Sequence, residues 1–500
     1  MLLAAMLGGL SCSVAESGTI DLVYGLDDPF TEADAAAPTP ASIVIGAVTV
    51  EGADGGSSDD AAMTLAEAPY QAGGTFSLPG LDINDIDILQ ATLFDSADAA
   101  IISGRSIPVE LGGVQNTTLD IFVQRTDQFS RLPSSFTSAP TSPLALSFAN
   151  QYVMVANGSG KDTSAVVYDM GAWAPIEGTT TLPCAPLSIA PIGGTLILLI
   201  CKATDACPGS GIVACAFDAS GIVLTATQNT ENLPSSCGLA DVAGGSTVAA
   251  PNGESFIVGG TRPSGATKCV LKTGQFETAA DGGFVSAPLT MGMFDAPRQG
   301  AAAVWSSMYG LMIAGGNESS KDAPVEYLGS GTAEDGGLAP SSPLPGYAIG
   351  DLAQGSGAAI HDADHALVLA GGTLPDKSIA GVRVFDLTCS EDCDPKVGAD
   401  AGEDAGIDAG AEAGATGEVS LGSAQGFAVG ASSALFVGPS GAGRGGVTEA
   451  FLVSTSGTHV TKVTAVPLRV SSRKGTTAIW SPVGSVVVAG GATTMESFVP

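Results

Sequence analysis

The chain has 500 residues, 51 Asp and Glu against 18 Lys and Arg, and a formal net charge of −33. A phosphate backbone must be met by a basic surface, so nucleic acid is excluded as a partner and an anionic membrane surface is disfavoured for the same reason. With 68 Gly and 29 Pro, turn formers are everywhere and helical periodicity is scarce, which points to an all-β chain.

The apolar run Met1–Leu10 is far too short to span a bilayer as a helix, and it ends in Gly9-Leu10-Ser11-Cys12. No Lys or Arg precedes it, and Gly9 stands three before Cys12. Residues 1–18 resemble a bacterial lipoprotein signal, although such signals usually have a basic start and a Leu three before the cysteine. The resemblance implies that Cys12 is lipidated and becomes the mature N-terminus. Ser13 in place of Asp then implies sorting to the outer membrane. The rival reading is a non-secreted chain with an apolar start.

Residues 19–125 contain short runs with period-two stretches: Ser42–Val50, Thr75–Leu78, Asp87–Phe94 and Thr118–Gln124. Turn residues separate them, as in Asp54-Gly-Gly-Ser-Ser-Asp-Asp60 and Leu111-Gly-Gly113. About a hundred residues of short strands suit a small immunoglobulin-like β-sandwich.

From residue 126 to 500 the pattern becomes a repeat. Arg298-Gln-Gly-Ala-Ala-Ala-Val-Trp305 returns as Arg473-Lys-Gly-Thr-Thr-Ala-Ile-Trp480, each followed by an apolar run and a glycine pair, Gly315-Gly316 and Gly490-Gly491. Phe256-Ile-Val-Gly-Gly260 and Leu367-Val-Leu-Ala-Gly-Gly372 continue the series, with steps of 56 residues from Gly259 to Gly315 and from Gly315 to Gly371. Weaker copies are Tyr152–Ala156, Leu196–Ile200 and Leu435–Gly438. A second strand follows the glycines in the better units: Val325-Glu-Tyr-Leu328, Val382-Arg-Val-Phe385 and Met495-Glu-Ser-Phe498. A unit of this kind cannot bury its own apolar face and must stack on its copies.

This repeat resembles that of kelch-like propellers of the galactose oxidase type. The expected fold is therefore a seven-bladed kelch-like β-propeller preceded by the sandwich. The last unit stops after its second recognisable strand. In propellers of this type the N-terminal edge commonly closes the ring, and Asp127–Leu132 is the candidate, since closure removes exposed sheet edges. Arg298 and Arg473 have two readings: bracing of neighbouring blades through carbonyls or an acid, which we favour, or lining one mouth of the ring to hold an anionic group.

Apart from Cys12, eight cysteines remain: Cys184, Cys201, Cys207, Cys215, Cys237, Cys269, Cys389 and Cys393. The even number fits disulfides in an oxidising compartment, and Cys389 and Cys393 can close a local loop. Zinc is the rival, but neither paired Cys-x-x-Cys nor Cys/His spacing is present. Residues 398–417, dominated by Asp-Ala-Gly, lack core formers and read as a disordered acidic insertion. They also lack the ligand spacing of calcium loops.

Chemistry has few candidates among three histidines, His361, His365 and His459. His361 takes the repeat position of Trp305 and Trp480. His361 and His365 would stand roughly 13 Å apart in an extended segment, so a metal there needs a tight turn. Galactose oxidases hold copper with two His and two Tyr, and no such constellation is assignable here. No Gly-x-Ser-x-Gly, His-Glu-x-x-His or P-loop occurs. No catalytic residue, cofactor or metal is therefore expected. The expected function is that of a monomeric, lipid-anchored envelope protein binding an extracellular protein or glycan through propeller loops. Low aromatic content, 5%, weighs against glycan. The alternatives are a propeller enzyme, either a copper-free oxidoreductase or a carboxylate hydrolase, and a structural envelope protein without a ligand. An axis lined by acids with a His favours the enzyme, and an apolar or Gly/Ser-lined axis favours binding.

Overall fold

In the computed structural model the described residues lie between 19 and 500, outside 28, 31–38, 50–62, 72–75, 78–85, 111–116, 141, 159–160, 177–179, 219–222, 225–236, 251–252, 260–267, 275–288, 295–299, 316–324, 330–337, 339–340, 345–356, 362–364, 374–380, 390–395, 398–420, 441–445 and 458. Cys12, Arg298, Cys393 and the acidic insertion therefore lie outside the described residues. The described chain is all-β apart from one short helix, Leu239–Val242.

The N-terminal part forms one seven-stranded hydrogen-bonded path, in the order Met63–Pro69, Ser42–Thr49, Ile86–Phe94, Ala100–Glu110, Thr118–Arg125, Thr19–Val23 and Phe76–Ser77. All neighbours are antiparallel except Thr19–Val23, which runs parallel to Thr118–Arg125. Alternation explains its core. Ile43, Ile45 and Ala47 stand opposite Leu93, Ala91 and Leu89. They bury one face together with Ile20, Ile102, Ile121 and Val123. Strands from both ends of the path share that cluster, so the sheet wraps around it. The strand Ala100–Glu110 is absent from the sequence reading. Its buried Ser103 and Ser106 and its Gly104 dilute the apolar alternation. Ser106 is kept because its hydroxyl accepts from the Leu89 amide at 3.0 Å, and Gly104 because a Cβ there would strike the Phe122 carbonyl.

Seven further sheets follow along the chain, each an antiparallel ladder that runs in sequence order except for the outermost strand of the seventh. Their first strands are Pro143–Phe148, Pro186–Gly193, Ser246–Ala249, Ala302–Ser306, Gly357–His361, Gln425–Gly430 and Thr477–Trp480. Each first strand neighbours the next, and the seventh neighbours the first, so they close an inner ring. This is a propeller-type β fold. The glycine-terminated apolar runs of the repeat are the second strands, such as Gly310–Ala314, Ala366–Ala370 and Val486–Ala489, all wholly buried. Their uninterrupted apolar character follows from burial between two neighbouring sheets, which removes the polar face of an ordinary strand.

The seventh sheet receives its outermost strand from far upstream. Gln128–Ser135 pairs antiparallel with Thr494–Val499, placing Phe129 opposite Phe498 with ring centroids 5.4 Å apart. The same strand ties the N-terminal sheet to the ring. Asp27 accepts from Arg131 at 2.6 and 2.9 Å, Trp173 Nε1 donates to the Asp120 carbonyl, and Gln124 Nε2 donates to the Ser497 carbonyl. Phe122 packs under Trp173 at 5.0 Å within a cluster that also holds Val153, Tyr168 and Val487.

Candidate functional site

The inner ring is the one feature to which all seven repeat units contribute. No Asp, Glu, Lys or Arg occurs in any of its seven strands, and His361 is its single titratable residue. Besides His361 and Gln425, the first strands are built from Gly, Ala, Ser, Thr, Pro and aliphatic residues with the aromatics Phe148, Trp305, Phe427 and Trp480. At one point adjacent sheets approach so closely that only glycine fits: a Cβ on Gly357 would meet the Gly426 amide, and one on Gly426 the Ala358 carbonyl. The ring's polar side chains staple neighbouring sheets. Ser147 Oγ donates to the Trp480 carbonyl at 2.5 Å, and Thr247 Oγ1 to the Ile189 carbonyl at 2.6 Å. Gln425 Oε1 accepts from the Ala478 amide at 2.7 Å. Among the described residues, the first strands offer neutral hydrogen-bonding groups and, apart from His361, no titratable side chain.

The repeat's signature residues meet in the seventh sheet. Arg473 is fully buried, and its guanidinium donates to the carbonyls of Gly490 and Thr494 and to Glu496 Oε1 at 3.0, 2.8 and 2.8 Å. Glu496 is equally buried and accepts from the amides of Arg469 and Val470 at 2.7 and 3.0 Å. Burial pulls the Arg473 guanidinium below its ordinary range, and the Glu496 charge opposes that shift. The glycine pair is required because Gly490 and Gly491 have φ of +91° and +66°. A Cβ on Gly491 would also collide with the Lys474 backbone. Thus Arg, Gly-Gly and Glu, spread over 24 residues of sequence, form one hub that fixes the loop between strands. Glu326, at the matching position of an earlier unit, is also fully buried and accepts from Ser341 Oγ at 2.9 Å.

Two described disulfides lie in the second sheet of the ring and one in the third. Cys184 bonds Cys201, Cys207 bonds Cys215 and Cys237 bonds Cys269, with Cα separations of 6.1, 6.1 and 5.8 Å. Cys389 is disulfide-bonded as well, with a partner outside the described residues. His365 and His459 are exposed, while His361 closes the first strand of the fifth sheet. Among the described residues no helix is long and apolar enough to cross a membrane. Sequence reasoning did not find Glu496 as the partner of Arg473. The signal was available, since Glu follows the glycines in two of the three better units.

No family model and no curated protein matches the sequence. Similar solved structures include YjhT, at 16% identity and a TM-score of 0.39, covering 67% of this chain and 99% of that one. A copper complex of a fungal alcohol oxidase of the AA5 family is similar at 10% identity and a TM-score of 0.37, covering 84% and 89%. Regucalcin from Agrobacterium tumefaciens, described as a calcium-binding protein, is similar at 13% identity and a TM-score of 0.30, covering 74% and 94%. At these values none lends this chain a function.

Proposed function

We propose that this chain is a binding scaffold of the cell envelope: a seven-bladed kelch-like propeller behind an immunoglobulin-like sandwich, lipid-anchored through Cys12 and holding an extracellular protein or glycan with its loops. The observation that carries the binding reading is the absence of Asp, Glu, Lys and Arg from all seven first strands. Acyl transfer, glycoside hydrolysis and proton abstraction all need a titratable group aimed at the reacting atoms. First strands without acids or bases other than His361, and mostly apolar, instead suit a rigid ring that displays its loops. Seven closed first strands, with four strands in six of the sheets and five in the other, support the blade number. Buried disulfides support an oxidising compartment.

Two measurements test the reading. Mass spectrometry of the chain made in a Gram-negative host is expected to show a mature protein starting at Cys12 with added acyl mass, and Cys12→Ala is expected to release it from the membrane fraction. An unmodified soluble chain with free thiols overturns export. Purified protein is expected to retain a surface protein or glycan on immobilised arrays without turnover. Copper-dependent oxidation of an alcohol, or hydrolysis of a glycoside, overturns the non-catalytic part.

A further inference from the structure

Two of the disulfides are not isolated from each other. Cys201 Sγ lies 3.8 Å from Cys207 Sγ, and the sulfurs of Cys184, Cys201 and Cys207 all fall within 4.8 Å of one another. Cys215 is bonded to Cys207, so four sulfurs form one contiguous group. All four residues are at most 1% exposed, within an apolar cluster that contains Ile197, Leu199 and Phe217. Register explains the convergence. Cys201 lies opposite Pro186 on one side and Val213 on the other, and Cys215 lies opposite Leu199, so Cys201 and Cys215 are diagonal neighbours on one face. Cys207 reaches that face from the loop between their strands, where its amide donates to Thr204 Oγ1 at 3.0 Å.

Four thiolates around a d¹⁰ cation at about 2.3 Å make a tetrahedron whose sulfurs are about 3.8 Å apart. The non-bonded Cys201–Cys207 contact already has that spacing. We propose that these four sulfurs are a redox-gated site for one soft tetrahedral cation of the zinc type, closed as two disulfides and open as four thiolates. Opening by a dithiol transfers four electrons and four protons to the two disulfides and oxidises two dithiol molecules to disulfides. Binding then exchanges the four thiol protons for the cation. Each released sulfur moves away from its former partner by side-chain rotation. Access is through the loop, since Cys207 is flanked by exposed Ala206 and Pro208. In an oxidising compartment the same groups serve as cross-links, so the site distinguishes the chain before and after oxidation.

Cobalt(II) reads this directly, because thiolate coordination gives charge-transfer absorption and tetrahedral ligand-field bands. The full chain, reduced under inert gas and freed of reductant, is expected to bind one equivalent with both signatures, displaced by zinc. The oxidised chain is expected to bind none. The double variant Cys207→Ser/Cys215→Ser is expected to lose the tetrathiolate spectrum. Cys237→Ser/Cys269→Ser, whose pair sits in a different core cluster, is expected to keep it. Should the reduced chain unfold without metal, one equivalent of zinc is expected to restore its far-ultraviolet circular dichroism. Absence of the spectrum in the reduced chain, its persistence in the Cys207/Cys215 variant, equal loss in the Cys237/Cys269 variant, or failure of zinc to restore the fold overturns the proposal.

Discussion

The seventh and second sheets of the ring hold the same kind of ladder by opposite means. In the seventh, Arg473, Gly490 and Glu496 form a buried polar hub that fixes the loop between strands. In the second, Leu196–Lys202 carries no glycine pair and, among the described residues, no such ion pair, and Cys184–Cys201 and Cys207–Cys215 bracket it instead. The polar hub acts on the folded state. It specifies loop conformation, and a buried ion pair adds little net stability once desolvation is counted. The disulfides act chiefly on the unfolded state by removing chain entropy. The contrast teaches that the repeat motif is a device for geometry. Where the motif fails, the ladder survives because covalent closure stabilises it without dictating its loops.

The largest expected effect comes from breaking the hub on one side. Glu496→Leu leaves a fully buried guanidinium facing no acid, with an expected loss of about 3–5 kcal/mol. Arg473→Met strands the carboxylate at similar cost. Arg473→Lys is expected to recover little, since one ammonium cannot reach two carbonyls and a carboxylate with the planar fork of Arg. Urea denaturation monitored by tryptophan fluorescence measures each loss. If Glu496→Leu costs no more than a surface substitution, the hub is not what organises the seventh sheet.

The disulfides come next, with a graded expectation. For a sequence separation of 17, replacing Cys184 and Cys201 by Ser is expected to cost about 3 kcal/mol. For a separation of 8, Cys207 and Cys215 are expected to cost about 2.5 kcal/mol. These changes are expected to appear mainly through the denatured state, with the native far-ultraviolet spectrum unchanged under oxidising conditions. A larger loss for the shorter loop sinks the chain-entropy account and makes native packing of the sulfurs the dominant contribution.

The same contrast explains what was legible in the sequence. The second strands are readable wherever burial on both faces forces an unbroken apolar run, as in Val486–Ala489. The closing strand is readable because the last unit lacks one, and Gln128–Ser135 supplies it. Ala100–Glu110 is not readable, because its buried Ser106 serves a backbone amide and Gly104 a close approach, and both erase the alternation. The pairings Cys184–Cys201 and Cys237–Cys269 depend on which strands lie side by side, and eight cysteines alone leave them open. The neutrality of the inner ring becomes visible only once the seven first strands are known.

A smaller effect separates the N-terminal sheet from the ring. Asp21 and Asp120 are register partners on parallel neighbouring strands, and both are exposed. Partial burial first, and the Asp21 charge second, push the Asp120 carboxyl above its ordinary value. A raised folded-state value means that the native sheet binds this proton more tightly than the unfolded chain. Stability from this site therefore falls as pH rises through the carboxylate range and stays low at neutrality. Asp120→Asn removes the repulsion and is expected to stabilise the chain by no more than about 0.5 kcal/mol near pH 7, because solvent screens an exposed pair. The gain is expected to shrink as pH falls through the carboxylate range, where Asp120 takes up its proton in the parent chain. It is also expected to diminish in high salt. Because Trp173 Nε1 holds the Asp120 main-chain carbonyl and not its carboxylate, the substitution leaves the junction with the ring intact. A gain that persists unchanged at low pH shows that the effect is one of strand propensity, with no contribution from charge.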